Sequence, residues 1–431
     1  MSLRKVLLIA YNYPPITTVG KNRTLRFQRH LASYGYDPIV HTVSNPDPRI
    51  CKVSDQCGAE AFGHIRRSKA INLSWITAGG DWLFDKACAL LKSNAAKNPV
   101  RRTILFPDYA VGWIPGCLRA SERIISEEHV ALVYVSCSPF SAALTGAYLR
   151  QRTGLPVVLD FRDPWSFNQN LGLIPSWARK LHQRAERRAI CNTDFLVANT
   201  RSAADRYRAI YPDKADCIDH IYNTYDYDTP VAGQDQKFLL LYTGIFYGID
   251  YLEMLFGAVA RVLAHKNIRI IFTGQANQNV NRTAAKFGIS HVVQSHGYLP
   301  RQELEVLKSK ASYLLFHNGF EGDDEVDPCV IKSKLYDYLA TGIPLIAVAS
   351  QGEVDEIIRR YSPNSHVVPA SRQSTLDNAL ELAYSEWQQG RAIRRDSTDF
   401  RRDFSPSELT RKLATIFDKV LSTSRRSVGT C

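Results

Sequence analysis

Lys332 and Lys334 stand at the head of CVIKSKLYDYLATGIPLIAV, residues 329–348, and Asp337 follows within one helical turn. Leu335, Tyr338 and Leu339 fall on one side of a helix, Thr341 and Gly342 close it, and Pro344 leads into a buried strand. Two cations at a helix start, where backbone N–H groups also point outward, suit an incoming diphosphate. A carboxylate one turn further along suits the vicinal hydroxyls of a ribose. The plainer alternative is an exposed capping turn with two solvated lysines.

Single glycines close several apolar runs: Gly244 in LLLYTG, Gly274 in IIFTG and Gly297 in SHGYLP, with Gly20 in the first loop. Each permits close backbone approach to a ligand, although turns also favour glycine. In VVLDFRDPW, Asp163 is a candidate to orient or deprotonate a hydroxyl. Arg162 is a candidate to hold that carboxylate or a phosphate bidentately. The alternative there is a buried Arg–Asp pair fixing the strand end before Pro164. His296 is a candidate for contact with a nucleotide base, or a structural histidine after a strand. No G-x-G-x-x-G follows the first strand, and G-x-x-x-x-G-K-[ST], H-E-x-x-H and G-x-S-x-G do not occur. Ordinary dinucleotide, P-loop, zinc-protease and serine-hydrolase readings are therefore disfavoured.

Elements that could position these residues are legible as short apolar runs separated by helical patterns. Strands are expected at 5–11, 38–43, 131–137, 156–161 and 195–200. A second series is expected at 238–244, 268–274, 291–297, 313–319, 344–350 and 365–370. Runs apolar at every position suit parallel sheets covered on both faces, and the alternation with helices implies doubly wound α/β domains. The Asp- and Pro-rich stretch 211–236 reads as a linker. Expected domains are 1–225 and 236–404, with a helix over about 405–424 packing back on the first. Ligands in such sheets bind beyond the carboxyl ends of the strands, which directs attention to the cleft between the domains.

Residues 1–230 hold 30 Lys and Arg against 20 Asp and Glu, whereas 231–431 hold 24 against 22. The positive excess thus belongs to the N-terminal half and points to an anionic partner there, or to a solvated basic face. No nucleic-acid-binding motif accompanies it. Trp75, Trp82 and the apolar residues around them, within 71–105, read either as part of the domain core or as an amphipathic element on a membrane. The nine cysteines lack zinc-site spacing, so free thiols, a reducing compartment and no metal are expected. No apolar run is long enough to span a bilayer, and MSLRKVLLIAYNYPP reads as a first strand rather than a signal peptide.

KLYDYLATGIPL resembles the nucleotide-sugar-binding helix of GT-B-fold retaining glycosyltransferases, the group 1, family 4-like enzymes of bacterial polysaccharide and lipid-linked glycan synthesis. AYNYPPITTVGKNR, VVLDFRDPW, HIYNTYD, LLYTG and HGYLPRQELEVLKSKASYLLF resemble further segments of that group, in the same order. Cys329 and Asp337 stand at the positions of the family's glutamate pair, Thr224 replaces a glycine, and GIFYGIDYLEML lacks the usual basic pair. The resemblance implies a GT-B fold of two doubly wound Rossmann-like domains facing across a cleft. It also implies metal-independent transfer from a UDP-, GDP- or ADP-sugar, with retention assisted by the donor's own phosphate and no further cofactor. Gly20, Lys21, Gly244, Gly274, His296, Lys332, Lys334 and Asp337 would face the donor. Arg23, Arg26 and Trp165 would face a glycan or lipid-linked acceptor, and Arg162 and Asp163 would serve catalysis. The expected setting is the cytoplasm, either free or peripheral at the inner face of an anionic membrane through the basic N-terminal domain, with no nucleic-acid partner. Alternatives are a GT-B nucleotide-sugar epimerase or hydrolase, and a non-catalytic scaffold that assists a partner transferase.

Overall fold

The structure, a computed structural model, describes residues 3–48, 51–53, 63–73, 76, 104–168, 171, 174–226, 235–244, 249–274, 278–318, 328–349, 351–369, 373–392 and 394–428. The chain forms two units, Met1–Tyr222 with Pro406–Cys431, and Asn223–Ser405. Most of the 71–105 segment lies outside the described residues, as does EGDDEVD, residues 321–327, an acidic run that reads from the sequence as a contact for sugar hydroxyls or as an exposed loop.

Unit 1 is built on a seven-stranded parallel sheet in the order β3-β2-β1-β4-β5-β6-β7. Its strands are β1 (Arg4–Ala10), β2 (Tyr36–Val43), β3 (Ile65–Ser68), β4 (Leu132–Cys137), β5 (Val157–Phe161), β6 (Phe195–Ala198) and β7 (Ile218–His220). Helices α1 (Lys21–His30), α2 (Ile114–Glu128), α3 (Ser141–Thr153), α4 (Ser176–Cys191) and α5 (Arg201–Ile210) connect them. Val6 to Ile9 and all of β4 are buried, because both faces of a central strand are covered.

Strands β3 and β7 were not among the expected elements. IRRS and IDH carry no apolar run because they are short edge strands, half covered, where charge also discourages further pairing.

Unit 2 repeats the plan with six parallel strands in the order β10-β9-β8-β11-β12-β13. These are β8 (Phe238–Thr243), β9 (Ile268–Thr273), β10 (Val293–Ser295), β11 (Tyr313–His317), β12 (Leu345–Val348) and β13 (His366–Val368). Its helices are α6 (Ile249–Val262), α7 (Gln278–Lys286), α8 (Arg301–Ser309), α9 (Lys334–Leu339), α10 (Glu353–Tyr361), α11 (Gln373–Gln388) and α12 (Thr398–Asp403). Phe238 at the foot of β8 meets Tyr313 and Tyr384 edge-on, centring the core between sheet and helices.

The last helix, α13 (Pro406–Val428), belongs to unit 1. Leu409, Leu413, Phe417 and Val420 form one helical stripe and pack among Val6, Leu8, Tyr36 and Tyr134. Phe417 contacts Tyr36 edge-on at 5.2 Å between ring centroids. Unit 1 is therefore assembled from two segments far apart in sequence.

The strand order reverses between β1 and β4 in unit 1 and between β8 and β11 in unit 2. Such switch points open a crevice beyond the strand ends, since the connections on either side run away from it.

Candidate functional site

In unit 2 the switch point is lined by the chain leaving β8 and β11. Thr243 donates its backbone N–H to Tyr338 Oη at 2.8 Å, tying the end of β8 to α9. Gly244 donates to Thr273 O at 2.8 Å, and Gly274 to Gly297 O at 3.1 Å, so glycine backbones close the strand ends. Gly274 has φ +125°, and a Cβ there would lie 2.6 Å from the Gly244 carbonyl carbon. Backbone cannot retreat as a flexible side chain does, so this position admits only glycine. At Gly244, φ +91°, a Cβ would lie 3.5 Å from Cε and Nζ of Lys334.

Lys334 thus rests its head group beside a glycine strand end. Its Nζ lies 3.5 Å from the centroid of the Tyr242 ring, a cation–π contact. Burial pushes its pKa well below the ordinary lysine value, Lys332 adds to the fall, and Asp337 opposes it. Burial also lowers Lys332, to about 8. Among the described residues, no carboxylate forms an ion pair with Lys334. Burial thus disfavours the positive charge of both lysines in this half-buried place, and an anion arriving beside them would stabilise their protonated forms.

His317 ends β11 and stacks on Tyr251 with 4.4 Å between ring centroids. Burial, then Lys332 and Lys334, drive its pKa down to about 3, so the imidazole is neutral and offers one donor and one acceptor. The next residue, Asn318, braces the lysine segment: Nδ2 donates to Val330 O at 2.8 Å, and Oδ1 accepts from Lys332 N at 3.0 Å. Tyr251, His317 and Asn318 carry no motif signal, and Tyr242 lies within LLYTG without being marked there as a contact for the lysines. Their only sequence cue is that each sits at a strand end or faces one.

Two expectations for this segment are refined. Helix α9 is only Lys334–Leu339, and the N–H groups of Leu335 and Tyr336 are already bonded to Lys332 and Ser333 carbonyls. The segment therefore presents lysine side chains rather than a row of open amides. Asp337 Oδ1 accepts the Asp226 N–H at 2.9 Å, so one carboxylate oxygen holds the start of unit 2. His296 is exposed past the end of β10, its backbone N–H bonded to Phe272 O.

In unit 1 the loops after β1 and β4 meet where Asn12 Nδ2 donates to Ser138 O at 3.0 Å. Arg162, after β5, donates N–H and Nε–H to Cys137 O at 2.7 and 3.2 Å. Its guanidinium lies against Gly20, where a Cβ would come 1.7 Å from Nη1. Gly20 has φ −58° at the start of α1, so glycine serves space here, not backbone freedom. The space is filled by Arg162 rather than left open for a ligand. Replacing Gly20 with Ala should leave the melting temperature nearly unchanged, because the far end of an arginine can swing away. It should displace the guanidinium and lower the transfer activity that the family resemblance implies by roughly ten- to a hundredfold. Unchanged activity with unchanged melting would show that Arg162 placement is irrelevant.

Asp163 is exposed beside it. The surrounding protein raises its pKa and Arg162 opposes the rise; with solvent at the carboxyl the effect on stability is slight. The loop bearing Asp163 is held by Glu186 of α4, which is fully buried. Glu186 accepts from Ser166 N at 2.7 Å, Ser166 Oγ at 2.8 Å and Tyr211 Oη at 2.7 Å. Burial raises its pKa, and these donors oppose the rise.

Arg23 and Trp165 require correction. Arg23 points into the core, where Nε and Nη2 donate to Asp160 at 2.6 and 3.1 Å and Nη1 to Tyr222 O at 2.9 Å. Tyr134 Oη donates to the same carboxylate. Burial opposes the Arg23 charge, and Asp160 with Tyr134 outweighs it, so its pKa lies above the ordinary value. Trp165 is also buried, stacked on Phe140 at 4.8 Å with its indole N–H donating to His182 Nδ1 at 3.0 Å. Neither side chain is presented to an acceptor. Lys21 and Arg26 are half-buried on α1.

Among the described residues, no group of three or more His, Cys, Asp or Glu side chains is arranged to hold a metal ion, and no helix is long and apolar enough to cross a membrane.

Comparison with known proteins places this architecture. Residues 21–229 match the model of Glycosyltransferase Family 4. A search of the curated proteins finds no match to the chain. Among solved structures, a glycosyltransferase from Rickettsia africae ESF-5 superposes with a TM-score of 0.64 at 13% identity, over 98% of this chain and 99% of that one. Sucrose-phosphate synthase from Thermosynechococcus elongatus gives 0.61 at 13%, over 97% and 100%. HepE from Anabaena, in complex with UDP and glucose, gives 0.60 at 11%, over 96% and 100%. At such identities the structural likeness speaks for the fold, and the family model speaks for the sequence. The chain therefore has the GT-B fold, and its residues 21–229 match Glycosyltransferase Family 4.

Proposed function

We propose that this glycosyltransferase takes a hexosyl group from a nucleotide-diphosphate sugar and passes it to a glycan or lipid-linked acceptor in cell-envelope or exopolysaccharide synthesis. The observation that carries the reading is the pair Lys332 and Lys334 at the unit 2 switch point, with Gly244 and Gly274 keeping the adjacent strand ends free of side chains. A diphosphate arriving there would restore the protonation that burial disfavours. HepE, which shares the fold, holds UDP and glucose.

In the proposed reaction the bond from sugar C1 to the diphosphate oxygen breaks and a bond from C1 to the acceptor oxygen forms. Lys332 and Lys334 meet the charge that develops on the leaving diphosphate. His317, neutral beside the lysines, would hydrogen-bond the donor without adding charge. A donor phosphate oxygen takes the acceptor proton on the same face, which retains configuration, and Asp163 orients the acceptor hydroxyl. Lys21, Arg26 and Arg162 of unit 1 supply positive charge for an anionic acceptor, and His296 is a candidate for the base. The setting proposed is the cytoplasmic face of a membrane.

The test is thermal stabilisation by a panel of UDP-, GDP- and ADP-sugars. One nucleotide class should raise the melting temperature. Its affinity should then fall roughly tenfold from pH 7 to pH 9, because Lys332 is protonated below about 8 and loses its charge above it. A pH-independent affinity would remove Lys332 from the site. No stabilisation by any class would favour the scaffold reading, which the buried Cys329 at a family glutamate position also motivates.

A further inference from the structure

Helix α4 carries a face that neither the fold nor the proposed reaction uses. Trp177, Lys180, Leu181, Arg184, Arg187 and Arg188 succeed one another at helical spacing and lie on one side. All six are exposed, Trp177 by 56% and Leu181 by 38%. The opposite side, with Ala178, His182, Ala185, Glu186 and Ala189, is buried. Core packing therefore accounts for the inner face and leaves the outer one unexplained.

A merely solvated helix face mixes charges and pairs them at i, i+4. Here the only carboxylate of the helix, Glu186, is turned inward and bonded to the Ser166 loop and Tyr211. Lys180, Arg184 and Arg187 have no ion-pair partner among the described residues. The Arg188 guanidinium lies over the Tyr148 ring at 5.1 Å, leaving its edge open. Arg179 adds a further exposed cation at the margin. An exposed tryptophan and leucine one turn apart, set in unpaired cations, is the composition of a helix that lies in a lipid interface.

We propose that this face of α4 docks the protein on an anionic lipid surface. Trp177 and Leu181 enter the boundary between headgroups and acyl chains, and Lys180, Arg184, Arg187 and Arg188 meet lipid phosphates. A hydrated polyanion such as RNA would use the cations and gain little from Leu181. The crossover from β5 brings the start of α4 to the carboxyl edge of the sheet, the edge that also carries Asp163. Docking would thus hold that edge of unit 1 close to a lipid-linked acceptor. The proposal deepens the membrane-side setting of the proposed function and does not depend on the donor site.

The experiment is flotation of the full chain with vesicles of phosphatidylcholine containing phosphatidylglycerol, and with phosphatidylcholine alone. Wild type should bind the anionic vesicles at least about tenfold more tightly. A Lys180→Ser, Arg184→Ser, Arg187→Ser variant should lose about tenfold or more of that binding. A Trp177→Ser, Leu181→Ser variant should bind at low salt but release at salt concentrations that wild type withstands. Quenching by brominated lipid, absent after Trp177→Phe, should place the indole in the bilayer. No binding of wild type to anionic vesicles, or binding by both variants as tight and as salt-resistant as that of wild type, overturns the proposal. Capture of an oligonucleotide, but not of vesicles, through the same cations also overturns it. Melting temperature and nucleotide-sugar stabilisation, measured on the same variants, show that they are folded and separate this failure from a failure of the donor site.

Discussion

A Lys334→Met variant should bind the nucleotide-sugar roughly 10- to 100-fold more weakly, while its melting temperature stays level or rises. The first effect comes from losing a charge-assisted contact to phosphate, worth about 1.5–3 kcal/mol. The second comes from linkage. Folding lowers the Lys334 pKa, so at neutral pH the unfolded chain binds the proton more readily than the folded one, and the protonated group opposes folding. That penalty is present below the unfolded pKa and fades as pH rises through the window between the two values. Methionine keeps the stem against Tyr242 and removes the penalty, at the cost of the cation–π contact. Calorimetric binding and thermal melting, measured together, decide the matter. A melting temperature that falls in parallel with affinity would make Lys334 a structural residue and displace the donor site.

Arg23→Ala should cost about 3–5 kcal/mol of stability, because it leaves Asp160 buried without its countercharge. In a unit of this size that corresponds to a fall of roughly 10 °C. A surface arginine serving an acceptor would instead change acceptor KM with little effect on melting. The double variant Arg23→Met, Asp160→Leu separates the two roles further. It removes both charges, so it should melt above Arg23→Ala even though it carries more changes. A double variant no better than the single would mean that the packing of Arg23 on Phe27, not its charge, holds this part of the core.

Lys334 and Arg23 were both recognisable as candidates from charge and position alone. They differ in what the fold packs against them: a glycine strand end and a tyrosine face in one case, a buried carboxylate from β5 in the other. Asp160 lies 137 residues from Arg23 in the chain, and no local pattern signals that pairing. Trp165 fails for the same reason, since an aromatic after D-P reads equally as a platform or as core until Phe140 is stacked on it.

The sequence by itself determined the doubly wound plan, because strands covered on both faces must be apolar at every position and their helices must alternate with them. It also marked the lysine segment and the glycine strand ends, whose residue types depend on local backbone geometry and charge. Tertiary structure decided the rest. It added the edge strands β3 and β7, which need no apolar run because they bury little. It turned Arg23 inward and Arg162 against Gly20, and it set His317 beside the lysines, where burial keeps the ring neutral. Burial, pairing and the shift of a pKa arise only when segments distant in sequence exclude water from one another.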